Sequence, residues 1–242
     1  METSVPMLPI IEYSQEEHTT WQRLYTRQVG IVQHVACQGF HAGFPRLGIG
    51  VARIPDPNAI SARLAETVGW QLVSAENKFL DASAWFDHLL HRRFPVTDYI
   101  RRPHEFDFCE LPDLFHEYFG HLSLLTLPSI ADISQYFGQI ARRARTERQL
   151  LDIARLWWFI FEVGFIREEG DLKVIGGALL SSPGELHHAC RPEVPKYPFE
   201  IERVTQTPGM YYTYHDHYFY IESVAQIRQI LDTYAQREGL AP

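Results

Sequence analysis

A single glutamate set in an apolar run constrains this chain more than any other feature. Leu156-Trp157-Trp158-Phe159-Ile160-Phe161-Glu162-Val163-Gly164-Phe165 holds one charged group, Glu162, among rings and aliphatic chains. Such a run has to be buried, and a carboxylate is seldom buried unless it is paired or holds a metal. The fold must therefore bring a cation to Glu162. Arg155 and Arg167 flank the run and could form a plain ion pair. A metal shared with other side chains is the second solution.

His116-Glu117-Tyr118-Phe119-Gly120-His121 offers the partners for that second solution. Two imidazoles and one carboxylate are the ligand set of a non-haem Fe(II) site, which grips one face of the ion and leaves the other open. A zinc protease instead spaces its histidines four apart, on one helical face. Here they are five apart. Five residues turn about 500°, which leaves the rings roughly 140° apart round an unbroken α-helix. Gly120 accepts backbone angles that other residues resist, so the spacing predicts a helix that ends or bends there. Pro112-Asp113 reads as the start of that helix. Asp113, three residues before His116, is placed to orient its imidazole. With His at twelve positions, a close pair arises readily by chance, and Glu162 is what singles this pair out.

The pattern of the chain predicts a mostly α fold with a few short β-strands. Helices are expected over Glu16 to about Cys37 (with Trp21, Leu24, Val29 and Val32 inward), Asn58–Val68 with Asn58 as cap and Gly69 as stop, and Asp81–His91. Others are expected from Asp113, over Ile130–Arg145, Glu147–Phe165 and Gly184–Ala189, and from the cap Ser223 to about Gln236. Pro45 to Pro57 reads as loop, and Pro192, Pro195 and Pro198 interrupt regular structure. Leu172–Ile175 and Met210–Glu222 read as strands. The second would place His215 and His217 on one face, as a metal pair or as hydrogen-bonded surface histidines.

The 242 residues, 45% hydrophobic and 21% charged, suit one globular domain. A net charge of −8 opposes nucleic-acid binding, which wants a basic face. The one basic stretch, Arg142 to Arg148, reads as a solvated helix face. Cys37, Cys109 and Cys190 lack metal-type spacing and point to a reducing compartment. No leader-like segment opens the chain and no apolar run approaches a membrane span. The expectation is a cytoplasmic protein with neither nucleic acid nor membrane as partner.

Several segments carry a family resemblance. They are Arg92-Arg93-Phe94-Pro95-Val96-Thr97, Tyr99-Ile100-Arg101, Pro112 through His121, Ala154-Arg155-Leu156-Trp157-Trp158-Phe159, Glu162-Val163-Gly164 and Leu179-Leu180-Ser181-Ser182-Pro183-Gly184-Glu185. In this order, from about residue 12 to about residue 232, the chain resembles the pterin-dependent aromatic amino acid hydroxylases, most closely the short bacterial phenylalanine hydroxylases. The resemblance implies a single catalytic domain over residues 1–242, with neither a regulatory nor a tetramerising segment, acting as a monomer. It implies Fe(II) on His116, His121 and Glu162, with O2 as co-substrate. Tetrahydrobiopterin, or another tetrahydropterin, would lie against Trp85, Leu80 and Glu117. A free aromatic amino acid would bind with its carboxylate on Arg101 and its ring at Trp158, with Ser181, Cys109 and Pro112 around it. Glu117 and Asp113 would stand next to the chemistry.

Each of these residues also has a plainer reading. Arg101 beside Arg102 suits a solvated charge, Trp85 and Trp158 suit core aromatics, and Ser181-Ser182 before Pro183 suits a turn. The chain also departs from the family text. Leu111 replaces an acid, Cys109 a Thr, Trp157 a Tyr, Ala178 a Gly and Lys78 a Gly, while Tyr211 falls near a smaller aliphatic position. These changes sit around the implied pocket and spare the implied ligands. The expected reaction is L-phenylalanine to L-tyrosine. Tryptophan 5-hydroxylation and phenylalanine 3-hydroxylation are the alternatives on the same fold. A metal hydrolase using Glu117 as base is opposed by the five-residue spacing and by the aromatic setting of Glu162.

Overall fold

The computed structural model describes residues 7–76, 80–210 and 212–241. Lys78 and Tyr211 lie outside them. Helix α1 (Gln15–Val35) starts on a capping box, in which Ser14 Oγ accepts the Glu17 amide and Glu17 accepts the Ser14 amide. It buries Trp21, Leu24 and Val32, while Val29 is partly covered. A short α2 (Gln38–Gly43) and a loop lead to α3 (Pro57–Val68), which ends at Gly69 with φ of 70°. Its cap is Asp56 rather than Asn58. With Pro57 at the first helical position, the cap falls one residue before the proline. The Asn58 amide instead clamps the Leu8 backbone, accepting its N–H at 2.9 Å and donating to its C=O at 3.1 Å.

The next elements are β1 (Gln71–Ser74), α4 (Ala82–Leu90, capped by Asp81) and β2 (Arg93–Val96). β1 and β2 form a parallel pair that periodicity did not reveal, because four residues are too few for an alternating pattern. The metal-helix segment follows and continues into α5 (Leu122–Leu125). Then come α6 (Pro128–Ala141) and α7 (Glu147–Trp157). The basic stretch is a solvated helix face only at Arg148, on α7: α6 stops at Ala141, and Arg142 to Arg145 make the largely exposed connection to Thr146, which caps α7. α7 is likewise shorter than expected, and Phe165 begins a strand.

A four-stranded sheet is assembled from β3 (Phe165–Glu168), β4 (Asp171–Val174), β5 (Lys196–Pro198) and β6 (Tyr218–Ile221), in the order β4-β3-β6-β5. Between β4 and β6 lie α8 (Gly177–Ser181), α9 (Pro183–Ala189) and α10 (Ile201–Gln206). The last helix, α11 (Val224–Arg237), is capped by Ser223. Only Tyr218 to Ile221 of the expected Met210–Glu222 strand is extended in the sheet. His215 precedes it, buried, and bonds Glu185, whereas His217 pairs with Asp216. They form no metal pair. Among the described residues, one continuous apolar core joins α1, α3, the middle helices, the sheet and α11. No helix among them is long and apolar enough to cross a membrane.

Candidate metal centre and its cavity

Both segments expected to hold a metal are π-helical turns, His116–His121 and Trp158–Glu162. In each, one amide reaches back five residues: Leu122 N–H to Glu117 C=O, and Val163 N–H to Trp158 C=O. A π-turn inserts one residue into a helix. Residues five apart then return to the same face, which cancels the mismatch of an α-helix. The helix therefore does not end at Gly120; of the two expectations from sequence, an end or a bend, the structure excludes the end, and a π-turn brings His121 back beside His116. Gly120 has another reason to be glycine. A Cβ there would lie 2.4 Å from the Gly177 carbonyl oxygen, and a Cβ on Gly177 would lie 2.7 Å from the His121 ring. The two glycines let α8 lie directly on the π-turn. Gln28 of α1 pins α8 from behind by donating to the Leu180 carbonyl at 2.6 Å.

The result is convergence of three donors. His116 Nε2 and His121 Nε2 are 3.0 Å apart, and Glu162 Oε2 lies 3.1 Å from His121 Nε2 and 3.6 Å from His116 Nε2. Donors about 2.1 Å from one ion, at neighbouring octahedral positions, lie about 3.0 Å from each other. The separations fit a single ion held on one face. Arg155 and Arg167 do not serve Glu162: the first donates to the Thr205 carbonyl and the second pairs with Glu222.

The groups behind the donors set their states. Ser181 Oγ donates to the Gly177 carbonyl at 2.8 Å and lies 3.0 Å from His116 Nδ1. With its proton so used, the hydroxyl accepts from Nδ1–H and leaves His116 Nε2 with its lone pair toward the centre. Burial and the facing His121 ring lower the His116 basicity, which favours the neutral, ligating form. Burial raises the Glu162 carboxyl, but the two imidazoles outweigh it and hold the group below the usual carboxylate range. The other oxygen of Glu162 accepts the Trp157 indole N–H at 3.1 Å.

The donors open into a cavity of about 250 Å³, room for small molecules. It is lined by His116, His121, Glu162, Leu80, Trp85, Glu117, Arg101, Cys109, Pro112, Trp158 and Ser181. Of the residues to which the resemblance assigns a role at the site, Asp113 is the one absent from the wall. It is fully buried, and the His116 group it bonds is the backbone amide rather than the ring. Its carboxylate accepts Arg101 Nε at 2.9 Å, Arg101 Nη2 at 2.7 Å, the Arg101 amide at 2.8 Å and the His116 amide at 2.9 Å. The expectation that it orients the imidazole is thus corrected: it caps the backbone at His116 and aims Arg101. Burial raises the Asp113 carboxyl, and the guanidinium overrides this and holds it below its ordinary value.

Arg101 is no solvated charge, being 3% exposed. Its Nη1 donates to the Ser181 carbonyl at 3.2 Å, and the residue belongs to the cavity wall. Glu117 accepts the Thr97 amide at 2.7 Å, and burial pushes its carboxyl well above the usual range. Trp85 meets Trp157 and Phe94 edge to face. Cys109 Sγ lies 2.9 Å from the Leu111 carbonyl, and Leu111 is half exposed.

Sequence reasoning assigned no role to Thr97, to the Trp157–Glu162 bond or to the buried Glu185–His215 pair. Glu185 was legible only as an acid after the Ser-Ser-Pro-Gly stretch, and His215 was misplaced on a surface strand.

A two-histidine, one-carboxylate centre open to an aromatic-walled cavity is the donor arrangement of the non-haem Fe(II) oxygenases. The sequence model for the biopterin-dependent aromatic amino acid hydroxylases matches residues 4–239, and the chain belongs to that family. It is 35% identical over 240 residues to the phenylalanine-4-hydroxylase of Vibrio cholerae, covering 96% of this chain and 82% of that one. It is 32% identical over 234 residues to human tyrosine 3-monooxygenase, covering 95% of this chain and 44% of the other. Among solved structures, the Chromobacterium violaceum phenylalanine hydroxylase with bound iron(III) and oxidised cofactor 7,8-dihydrobiopterin superposes with a TM-score of 0.87. That pair shares 33% identity over 96% of this chain and 85% of that one. The cold-active enzyme of Colwellia psychrerythraea gives 0.86 at 33% identity, over 96% and 92%.

Proposed function

We propose that this chain is an Fe(II)- and tetrahydropterin-dependent monooxygenase that converts L-phenylalanine to L-tyrosine. The observation that carries the reading is the convergence of His116, His121 and Glu162 beside a buried arginine held by an acid, in a chain of this family. Bound iron and a tetrahydropterin, tetrahydrobiopterin or a relative, would supply the electrons and the site at which O2 is reduced.

The protein's own residues bind and orient. His116, His121 and Glu162 would hold the metal at the wall of the cavity. Arg101, locked by Asp113, presents its remaining N–H groups to the substrate carboxylate. Trp158 walls the substrate ring, with Cys109 and Pro112 beside it. Ser181 keeps the proton on His116 Nδ1 and, through its carbonyl, steadies Arg101. Trp85, Leu80 and Glu117 line the pterin side. Glu117, held by Thr97, is suited to meeting a polar edge of the pterin. The largely apolar walls limit water around the reacting groups.

The three free cysteines suit a reducing compartment. We read the chain as a cytoplasmic, monomeric enzyme of one catalytic domain, with a small-molecule partner and no nucleic acid. Size-exclusion chromatography with light scattering tests the monomer.

The functional test is aerobic turnover with Fe(II) and a tetrahydropterin, offering phenylalanine, tryptophan and tyrosine in turn. Para-tyrosine from phenylalanine is expected. Meta-tyrosine or 5-hydroxytryptophan would assign the altered pocket residues a different specificity. No product and no substrate-dependent pterin oxidation would overturn the reading.

A further inference from the structure

Behind Trp158 lies a buried polar junction centred on His215, which is 2% exposed. One ring nitrogen, Nε2, is approached by two donors: the Trp158 indole N–H at 3.0 Å and the Met210 amide at 3.2 Å. Neither donor group has a lone pair, so Nε2 is the acceptor of both. The imidazole proton therefore sits on Nδ1, which donates to Glu185 Oε1 at 2.9 Å. Glu185 also accepts the Tyr218 hydroxyl at 3.3 Å. From α9, His188 Nε2 meets the His215 carbonyl at 2.8 Å. α9 thus grips residue 215 by ring and by backbone.

Trp158, Met210 and Glu185 all line the cavity, whereas His215 does not. One buried imidazole joins three separate stretches of the wall, with a tautomer dictated by its neighbours. An indole held at Nε1 cannot swing about its own axis without giving up that bond. Glu185 faces the ring from α9 and Tyr218 from β6, and Phe159 packs edge-on against it. A buried donor left without its acceptor is costly. This makes the arrangement all-or-none.

We propose that His215 is a positioning residue for the amino acid pocket: it fixes the angle of the Trp158 indole and ties the Met210 segment to it. The proposal rests on the reading of Trp158 as the wall of the substrate ring. His215 touches no metal ligand and acts on the reaction only through the wall.

The test uses two amides that divide the functions of the imidazole. In His215→Asn the amide can take the Nδ1 position and keep Glu185, but it stops short of the indole. In His215→Gln a carbonyl can reach the Nε2 position. With iron-loaded full-length protein, His215→Asn is expected to raise the amino acid KM about tenfold, in line with one lost buried hydrogen bond. The fraction of oxidised pterin that yields hydroxylated product should fall, while the pterin KM changes less than twofold. His215→Gln should restore most of both. In a Trp158→Phe background, where no indole N–H remains, His215→Asn should add little.

An amino acid KM and coupling ratio unchanged in His215→Asn would overturn the proposal. So would an effect that persists undiminished in the Trp158→Phe background. If the Asn variant does not fold, the same comparison is made with Gln against wild type in both backgrounds; an equal loss in each would also overturn it. Failure of the wild-type protein to turn over any aromatic amino acid is a separate result, which removes the functional reading itself.

Discussion

Replacing Asp113 by Asn isolates the part of the site least visible from outside. The substitution keeps shape but removes the charge opposite Arg101 and turns one acceptor into a donor. In the native protein the two side chains are 2% and 0% exposed, and the carboxylate accepts four N–H groups. Removing one member of a buried pair leaves the other uncompensated and costs about 3–5 kcal/mol. Asn retains one acceptor, so the low end, about 3 kcal/mol, applies. For a chain of this size about 1 kcal/mol moves Tm by roughly 2–4 °C, so a fall of about 6–12 °C is expected.

The melt is read by circular dichroism on chelator-treated protein, so that metal binding does not add to the native state. In the loaded enzyme the amino acid KM should rise at least about tenfold, because a loosened guanidinium forms poorer charge-assisted bonds. The double variant Arg101→Leu/Asp113→Leu separates the two effects. It should recover only part of the lost Tm, because the apolar pair removes the uncompensated charge but leaves the Arg101 and His116 amides without their acceptor, while amino acid binding stays weak. A single variant that melts within about 2 °C of wild type, with an unchanged KM, would refute the account of Asp113 as the holder of Arg101.

Three further outcomes test the centre. Glu162→Gln and His121→Ala should leave the protein unable to retain iron through dialysis, measured by metal analysis; stoichiometric iron with full turnover would remove those residues from the ligand set. Ser181→Ala removes the oxygen 3.0 Å from His116 Nδ1 and should weaken metal affinity about 10- to 100-fold. A competitive chelator titration that shows no change would leave Ser181 no part in holding that ring. Gly120→Ala drives a Cβ to 2.4 Å from the Gly177 carbonyl oxygen and should cost about 1–3 kcal/mol as overpacking. It should also weaken metal binding, because α8 carries Ser181, and a neutral Tm would show that α8 can move away freely.

Much of the site was readable as composition in context. Glu162 stood out because it was the one charge in an apolar run, and it singled out the histidine pair, whose spacing suited no α-helix face. The structure gave the spacing a different cause. A π-turn depends on one amide choosing an acceptor five residues back, a choice settled by packing against α8 rather than by any residue's own preference. Gly120 was noticed in the sequence for its backbone freedom, but what requires it is space, since its contact is Gly177. Asp113 was noticed for its distance along the chain from His116, yet its charge is spent on Arg101. Helix caps illustrate a more local case: the bonds of Ser14, Asp81 and Ser223 each reach three residues along the chain, and of the two caps named from sequence Ser223 held while Asn58 gave way to Asp56.

The sequence by itself thus determined the family, the three candidate ligands, the mostly helical pattern and the apolar faces. Each depends on residue type, order or near-neighbour spacing. Only the tertiary structure decided which partner each buried polar group takes: Arg101 with Asp113, Glu162 with Trp157, and His215 between Trp158 and Glu185. The physical reason is that a buried donor or acceptor must find a mate. Many mates are chemically equivalent along the chain, and the folded packing leaves one within reach.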